Sequence, residues 1–106
     1  MIVSVCVVAY NEEKVLGKLL EDIQAQDYDH GKMEVVLIDS MSTDSTKEIM
    51  DRFQQQMTDF KNVQVLKNPG KKQASGWNVA IKNFSGDVMI RVDAHASIPP
   101  EFVRKN

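Results

Sequence analysis

The sequence predicts a parallel α/β fold, a four-stranded sheet with helices packed on its faces. Two observations carry this. Four short runs rich in β-branched residues alternate with longer stretches whose apolar residues recur at helical spacing, the pattern of βαβ units. The first two runs are also nearly continuous in apolar residues, as expected of strands covered on both faces.

Residues 2–9 form the first such run. Asn11 is placed to cap a following helix, with Glu12 and Glu13 in its first turn, where the helix dipole favours negative charge. Val15, Leu16, Leu19, Leu20 and Ile23 make its apolar stripe; Gly17 weakens it by about 1 kcal/mol relative to Ala. Residues 27–31 read as a turn. Residues 34–39 form a second strand ending in Asp39. Ser45 and Glu48 have capping-box spacing, and Ile49, Met50, Phe53 and Met57 continue a helical stripe. A third, shorter strand covers 63–66 and is followed by the turn Asn68-Pro69-Gly70. A weaker helical pattern runs through Ala74, Trp77, Ala80, Ile81 and Phe84, closed by Ser85 and Gly86 as a C-terminal stop. The fourth strand, 87–93, again ends in an acid, Asp93. Pro99 and Pro100 open what reads as a fourth helix.

With 106 residues and 12.0 kDa the chain is one domain. Thirteen Lys and Arg against fifteen Asp and Glu give a net charge of −2, which excludes a broad nucleic-acid footprint. No apolar run approaches a membrane span, and no leader pattern opens the chain. The single cysteine, Cys6, excludes an internal disulfide, fits a reducing cytoplasmic compartment and reads as a small core hydrophobe.

In parallel sheets ligands bind at the carboxyl ends of the strands. This selects residues 10–13, 39–42, 67–72 and 93–95. The first loop lacks the glycines of a dinucleotide turn or a P-loop, so any phosphate is held elsewhere. Asp39 and Asp93 can accept from ribose or base, bind a metal, or merely end solvated strands. Asp93 with His95 is an oxygen-plus-imidazole pair suited to Mn²⁺ or a similar ion. Lys67, Lys71 and Lys72 are point charges for phosphate or a solvated loop face. Trp77 reads as core and His30 as inert.

Taken together, these segments resemble the inverting family 2 glycosyltransferases of the GT-A fold. Tyr10-Asn11-Glu12-Glu13 after Val7, Val8 and Ala9 is similar to their opening Pro-Ala-Tyr-Asn-Glu-Glu, with Val8 in place of Pro. Residues 38–46 are similar to Val-Asp-Asp-Gly-Ser-Thr-Asp-Gly-Thr, with Ser40 and Met41 in place of Asp-Gly. Asn68-Pro69-Gly70 and Asn78 match the Asn-X-Gly and Ala-X-Asn stretch. Asp93-Ala94-His95 falls at Asp-X-Asp, with His95 for the last acid. Asp93-Ala94-His95-Ala96 followed by Pro99-Pro100 resembles the exopolysaccharide (succinoglycan-type) subgroup most.

The resemblance implies a Rossmann-like βαβαβαβ parallel sheet flanked by helices, the nucleotide-binding half of a GT-A domain cut from a longer protein. It implies that Tyr10, Glu12 and Asp39 hold the base and ribose of a nucleotide-diphosphate sugar. Asp93 and His95 would lie at a divalent metal, Mn²⁺ or Mg²⁺, with Ala94 beside the sugar nucleotide. The acceptor would be a saccharide or a lipid-linked sugar, and membrane association would come only through regions outside this chain. The general base is expected beyond Asn106, so the 106 residues alone are expected to transfer no sugar. Two other classes fit the fold: a receiver-like phosphoacceptor domain and a non-catalytic interaction module. A receiver needs its acid after strand three, where Lys67 and Asn68 stand.

Overall fold

A computed structural model describes residues 1–56 and 59–106; Met57, expected in the second helical stripe, lies outside the described residues. The elements are β1 (Val3–Ala9), α1 (Leu16–Gln24), a 3₁₀ turn (His30–Lys32), β2 (Met33–Asp39), α2 (Thr46–Gln56), β3 (Asn62–Lys67), α3 (Gln73–Asn83) and β4 (Val88–Asp93). All pairings are parallel, in the order β3-β2-β1-β4.

That order fixes the layers. From β1 to β3 the chain steps one way, so right-handed crossovers put α1 and α2 on one face; the return to β4 puts α3 on the other. Val3, Val5 and Val7 of β1 and Met33, Val35 and Leu37 of β2 pack with Leu16, Leu19 and Ile23 of α1 and Met50 and Phe53 of α2. The alternate residues, Cys6, Val8, Val36 and Ile38, pack against Ala80, Trp77 and Phe84 on the α3 side. Every residue of β1 and β2 is buried, which is why these strands read as unbroken apolar runs; each large side chain buried here contributes about 2 kcal/mol. The edge strands β3 and β4 are half-covered. Trp77 lies in this second core, its ring 5.2 Å from the Arg91 guanidinium.

Two glycines of α3 and its exit are set by close approach. A Cβ on Gly76 would lie 2.5 Å from Cγ1 of Val8, and one on Gly86 2.5 Å from Oγ of Ser4. Gly86 does not have positive φ, so it is not the left-handed helix stop the sequence suggested. α3 ends in an extended Phe84, and Gly86 lets the chain pass tight against β1, donating its N–H to Ser4 Oγ at 3.0 Å. Gly76→Ala is expected to destabilise by about 2 kcal/mol through overpacking, despite the better helix propensity of Ala. Urea denaturation with an unchanged slope and a lowered midpoint is the check.

Glu34, which opens β2, is fully buried and was not singled out from sequence. Its Oε1 accepts from Ser4 Oγ (2.7 Å) and Ser85 N (2.8 Å), and its Oε2 from Gln64 Nε2 (2.8 Å), Asn62 Nδ2 (2.9 Å) and Ser85 Oγ (2.9 Å). Burial alone would push the carboxyl upward, but these bonds prevail and hold it at about 2. One carboxylate thus ties β1, β3 and the α3–β4 turn to β2. Cys6, beneath the same face, is buried, and burial followed by the charge of Glu34 pushes its thiol up to about 12. It is no nucleophile at neutral pH.

Three expected boundaries move. α1 begins at Leu16, not at Glu12, because Glu12 O closes a turn onto Val15 N and Leu16 N while both acids face other elements. At the start of α2 the side-chain acceptor is Asp44, whose Oδ1 accepts from Thr46 N at 2.9 Å, while Ser45 takes the first helical bond on its carbonyl, from Ile49 N. Residues 100–105 are turns and not a fourth helix, since the backbone bonds of this segment alternate between i+3 and i+4 spacing. Their anchors are side chains of α1 and its exit. Gln26 Nε2 donates to Pro99 O, Gln26 Oε1 accepts from Val103 N, and Arg104 pairs with Asp27. His30 is also engaged, its ring stacked on Phe60 and its Nδ1 2.6 Å from Asp59.

Candidate nucleotide-sugar site

The register brings the selected loops to one edge. Ala9 pairs with Asp39, Val8 pairs with Asp93, and Asp39 pairs with Lys67. Strand order reverses between β1 and β4, so the loops leaving these two strands border the crevice where open parallel sheets hold ligands.

Across that crevice the β1 and β4 loops touch through His95. Its Nε2 is 2.8 Å from Oε2 of Glu12 and its Nδ1 is 2.8 Å from Oδ1 of Asp93. A carboxylate on each ring nitrogen favours the protonated ring, in which both nitrogens donate. The hydrogen bond to Asp93 and then the charge of Glu12 raise its affinity for the proton. In turn the backbone N–H of His95, and then its ring, hold Asp93 below the usual carboxylate range. The two carboxylates lie on opposite sides of the ring and do not converge. Accordingly no cluster of three His, Cys, Asp or Glu groups around one point occurs among the described residues.

The remaining candidates have distinct surroundings. Tyr10 is 53% exposed, so its ring is free to meet a planar group. Asp39 is nearly buried; its Oδ1 accepts from Ser42 N at 3.1 Å and its carbonyl from Asn68 N at 2.8 Å. Ala94 is buried, its methyl in the core beneath the edge. Lys67, Lys71 and Lys72 are exposed at the β3 end of the same edge.

Sequence reasoning missed what holds the edge together. The loops after β1 and β2 are stitched to each other. Asn11 Oδ1 accepts from Thr43 N (2.8 Å), and Asn11 N donates to Ser42 Oγ (2.9 Å). Glu12 N donates to Thr46 Oγ1 (2.8 Å) and Glu13 N to Asp44 Oδ2 (3.3 Å), while Ser45 N donates to Glu13 Oε2 (3.3 Å). Burial would raise the carboxyl of Asp44, but Thr46 and the Glu13 N–H hold it low. On the other side Asn68, 1% exposed, donates from Nδ2 to Ser40 Oγ and Lys72 O and accepts from Ser75 Oγ. Asn11 and Met41 take left-handed φ of 51° and 65°, a region open to Asn but costly for Met. Met41 stands where the resembled motif has glycine. The only early signal for these braces was the density of Asn, Ser, Thr and Asp in both loops.

An open depression of about 390 Å³ lies over the braced loops, lined by Asn11, Glu12, Glu13, Lys14, Val15 and Asp44. A larger groove of about 420 Å³, floored by Leu20, Ile49 and Phe53 between α1 and α2, is on the helical face and presents none of the strand-edge residues.

The sequence profile described as "Glycosyl transferase family 2" matches residues 4–105. The chain belongs to glycosyl transferase family 2. A curated relative in Methanococcus voltae is named dolichyl N-acetyl-alpha-D-glucosaminyl phosphate 3-beta-D-2,3-diacetamido-2,3-dideoxy-beta-D-glucuronosyltransferase. It is 34% identical over 104 residues, covering 98% of this chain and 32% of the relative. The beta-monoglucosyldiacylglycerol synthase of a Synechocystis strain is 31% identical, over 97% of this chain and 22% of its own length. Among solved structures, the mannosyltransferase PcManGT of Pyrobaculum calidifontis, in complex with GDP-Man and Mn²⁺, superposes with a TM-score of 0.85. It is 31% identical, over 93% of this chain and 29% of that one. S. aureus TarS 1-349 in complex with UDP-GlcNAc gives a TM-score of 0.79 at 30% identity, over 99% of this chain and 30% of that one. This family 2 chain therefore spans about a third or less of the relatives it matches. By their names these relatives are varied family 2 enzymes and not specifically of the exopolysaccharide type. Among the described residues no helix is long and apolar enough to cross a membrane.

Proposed function

We propose that this chain forms the donor-binding part of an inverting glycosyltransferase that uses a nucleotide-diphosphate sugar. What supports the reading is the convergence of four ordered motif segments on one carboxyl edge, with the β1 and β4 loops meeting at the switch point. Tyr10 offers its exposed ring to the base, while Glu12 and Asp39 accept hydrogen bonds from base and ribose. Asp93 and His95 face the diphosphate, and Ala94 lies beside the sugar nucleotide. Lys67, Lys71 and Lys72 add positive charge to the same edge.

Asp93 and His95 are the residues proposed to hold a divalent cation, Mn²⁺ or Mg²⁺. Asp93 suits it: the side chain is 69% exposed, and its hydrogen bonds use only Oδ1. His95 would join it as the neutral imidazole, one ring nitrogen giving up its proton and its carboxylate partner. A cation bound there neutralises charge on the diphosphate.

In the whole protein an acceptor hydroxyl attacks the anomeric carbon from the face opposite the diphosphate. The new glycosidic bond forms as the bond to the diphosphate breaks, the nucleoside diphosphate leaves, and the hydroxyl proton passes to a carboxylate base. That base is proposed to come from the part of the protein outside this chain, together with the acceptor site for a saccharide or lipid-linked sugar. The Asp93-Ala94-His95-Ala96 and Pro99-Pro100 segments favour an exopolysaccharide-type enzyme working at the cytoplasmic face of a membrane.

A thermal-shift titration with UDP, GDP and their sugar forms, with and without Mn²⁺, tests the reading. At about 100 times the dissociation constant, binding adds roughly 2.7 kcal/mol of stability. A metal-enhanced shift selective for one base is the expected outcome; unchanged midpoints with every nucleotide and metal contradict it.

A further inference from the structure

We infer that Asn11 is a positioning residue, whose side chain locks the β1 loop onto the β2 loop and so presets the distance between Tyr10 and Glu12 on one side and Asp39 on the other. The inference rests on the donor-site reading above and adds to it a residue that touches neither the base nor the phosphate in that reading.

Three features of the geometry carry it. Asn11 lies between Tyr10 and Glu12 in a left-handed conformation, φ 51°, which turns its side chain back across the sheet edge. Its Oδ1 then receives the Thr43 N–H at 2.8 Å, with the Thr43 hydroxyl at 3.4 Å, and its own N–H meets Ser42 Oγ at 2.9 Å. Ser42 is in turn the residue whose N–H is received by Asp39 Oδ1 at 3.1 Å. An unbroken chain of hydrogen bonds therefore runs from the Asn11 backbone through Ser42 to the Asp39 carboxylate. The parallel pairing stops at Ala9 and Asp39, so beyond it the loops rely on such side-chain bonds to keep their spacing. Asn11 also lines the depression above the loops.

Without the Oδ1 acceptor the bonds to Thr43 are lost while those of the Asn11, Glu12 and Glu13 N–H groups remain, so the spacing of the two loop tips loosens and a ligand that bridges them must first order them. Ordering costs lower affinity without removing any direct contact, so the effect falls on binding and not on the fold. Asn11→Gly is the informative variant: glycine accepts the left-handed backbone at no cost and keeps the N–H to Ser42, but lacks Oδ1.

The experiment measures calorimetric dissociation constants for UDP and GDP with Mn²⁺, ligand-free thermal midpoints, and hydrogen exchange at the Thr43 amide. It uses this chain as wild type and as Asn11→Gly. The expected result is faster exchange at Thr43, a ligand-free midpoint within about 2 °C of wild type, and a dissociation constant raised about tenfold for the nucleotide that wild type binds. A wild type that binds nucleotide with Asn11→Gly binding within twofold of it overturns the positioning role. Loss of affinity matched by an equal fall in the ligand-free stability also overturns it, because that is what a purely structural residue would give. A wild type that binds neither nucleotide overturns the donor-site reading, and this inference with it.

Discussion

Replacing Glu34 with Ala is expected to lower stability by more than about 4 kcal/mol, the largest effect of any single change in this chain. The variant removes the acceptor for five donors, those of Ser4, Asn62, Gln64 and both Ser85 groups; Ser4 is buried with Glu34, Gln64 is half-buried, and Asn62 and Ser85 stand at the rim. Each buried donor left without a partner costs about 1–3 kcal/mol. Glu34→Gln keeps the shape but replaces one acceptor oxygen by an amide NH₂ that faces the N–H donors of this set, while the Ser hydroxyls can turn to accept from it, so it should cost about half as much. The same carboxylate gives the acid limb of the stability curve a defined form. Its folded pKa of about 2 is below the 4.5 of the free group, so its contribution is complete above pH 4.5 and is lost as pH falls toward 2. The difference amounts to about 3 kcal/mol. Urea denaturation from pH 6 to pH 2 should show wild type losing this much more than Glu34→Gln. Parallel curves for the two proteins would remove Glu34 as the clamp.

Asp93→Ala is expected to abolish the metal-dependent part of nucleotide binding, lowering affinity at least a hundredfold while leaving the fold intact. The side chain is 69% exposed and its hydrogen bonds run only to His95, so little native packing depends on it. It is also the exposed acid of the pair proposed to hold the cation, and without it the diphosphate loses its counter-charge. His95 loses one of its two carboxylates, and its attraction for the proton falls with it. Titration calorimetry with and without Mn²⁺ separates the outcomes. A variant that still gains affinity from the metal would place the cation elsewhere.

Most of the fold was legible because its signals are local. β1 and β2 lie between helices on both faces, so burial writes itself into unbroken runs of Val, Ile and Leu, and Leu16, Leu19 and Ile23 keep one helical stripe. The carboxyl-end rule then picked out Tyr10, Asp39 and Asp93, which the register does carry to one edge. The misreadings share a different cause, side chains whose partners are remote. Glu12 and Glu13 looked like first-turn acids, but they face His95, 83 residues away, and Ser45. Glu34 looked like a polar strand start; its partners lie 28 to 51 residues along the chain. An acid directly before four apolar strand residues, Val35 to Ile38, was the available sign that it enters the core with them. The Pro99-Pro100 pair does favour a helix start, yet Gln26 and Asp27 capture the backbone that follows in turns. The braces of Asn11 and Asn68 join three loops and have no periodicity to betray them.

The most direct test of the central claim, that the carboxyl edge at the β1–β4 switch point holds a nucleotide and its metal, is amide-resolved NMR of this chain with the tighter-binding nucleotide and substoichiometric Mn²⁺. Paramagnetic broadening centred on residues 93–95, with nucleotide-induced shifts at residues 10–12 and at Asp39, is the predicted pattern. Broadening centred on any other part of the molecule, or nucleotide shifts confined to the groove between α1 and α2, would contradict it.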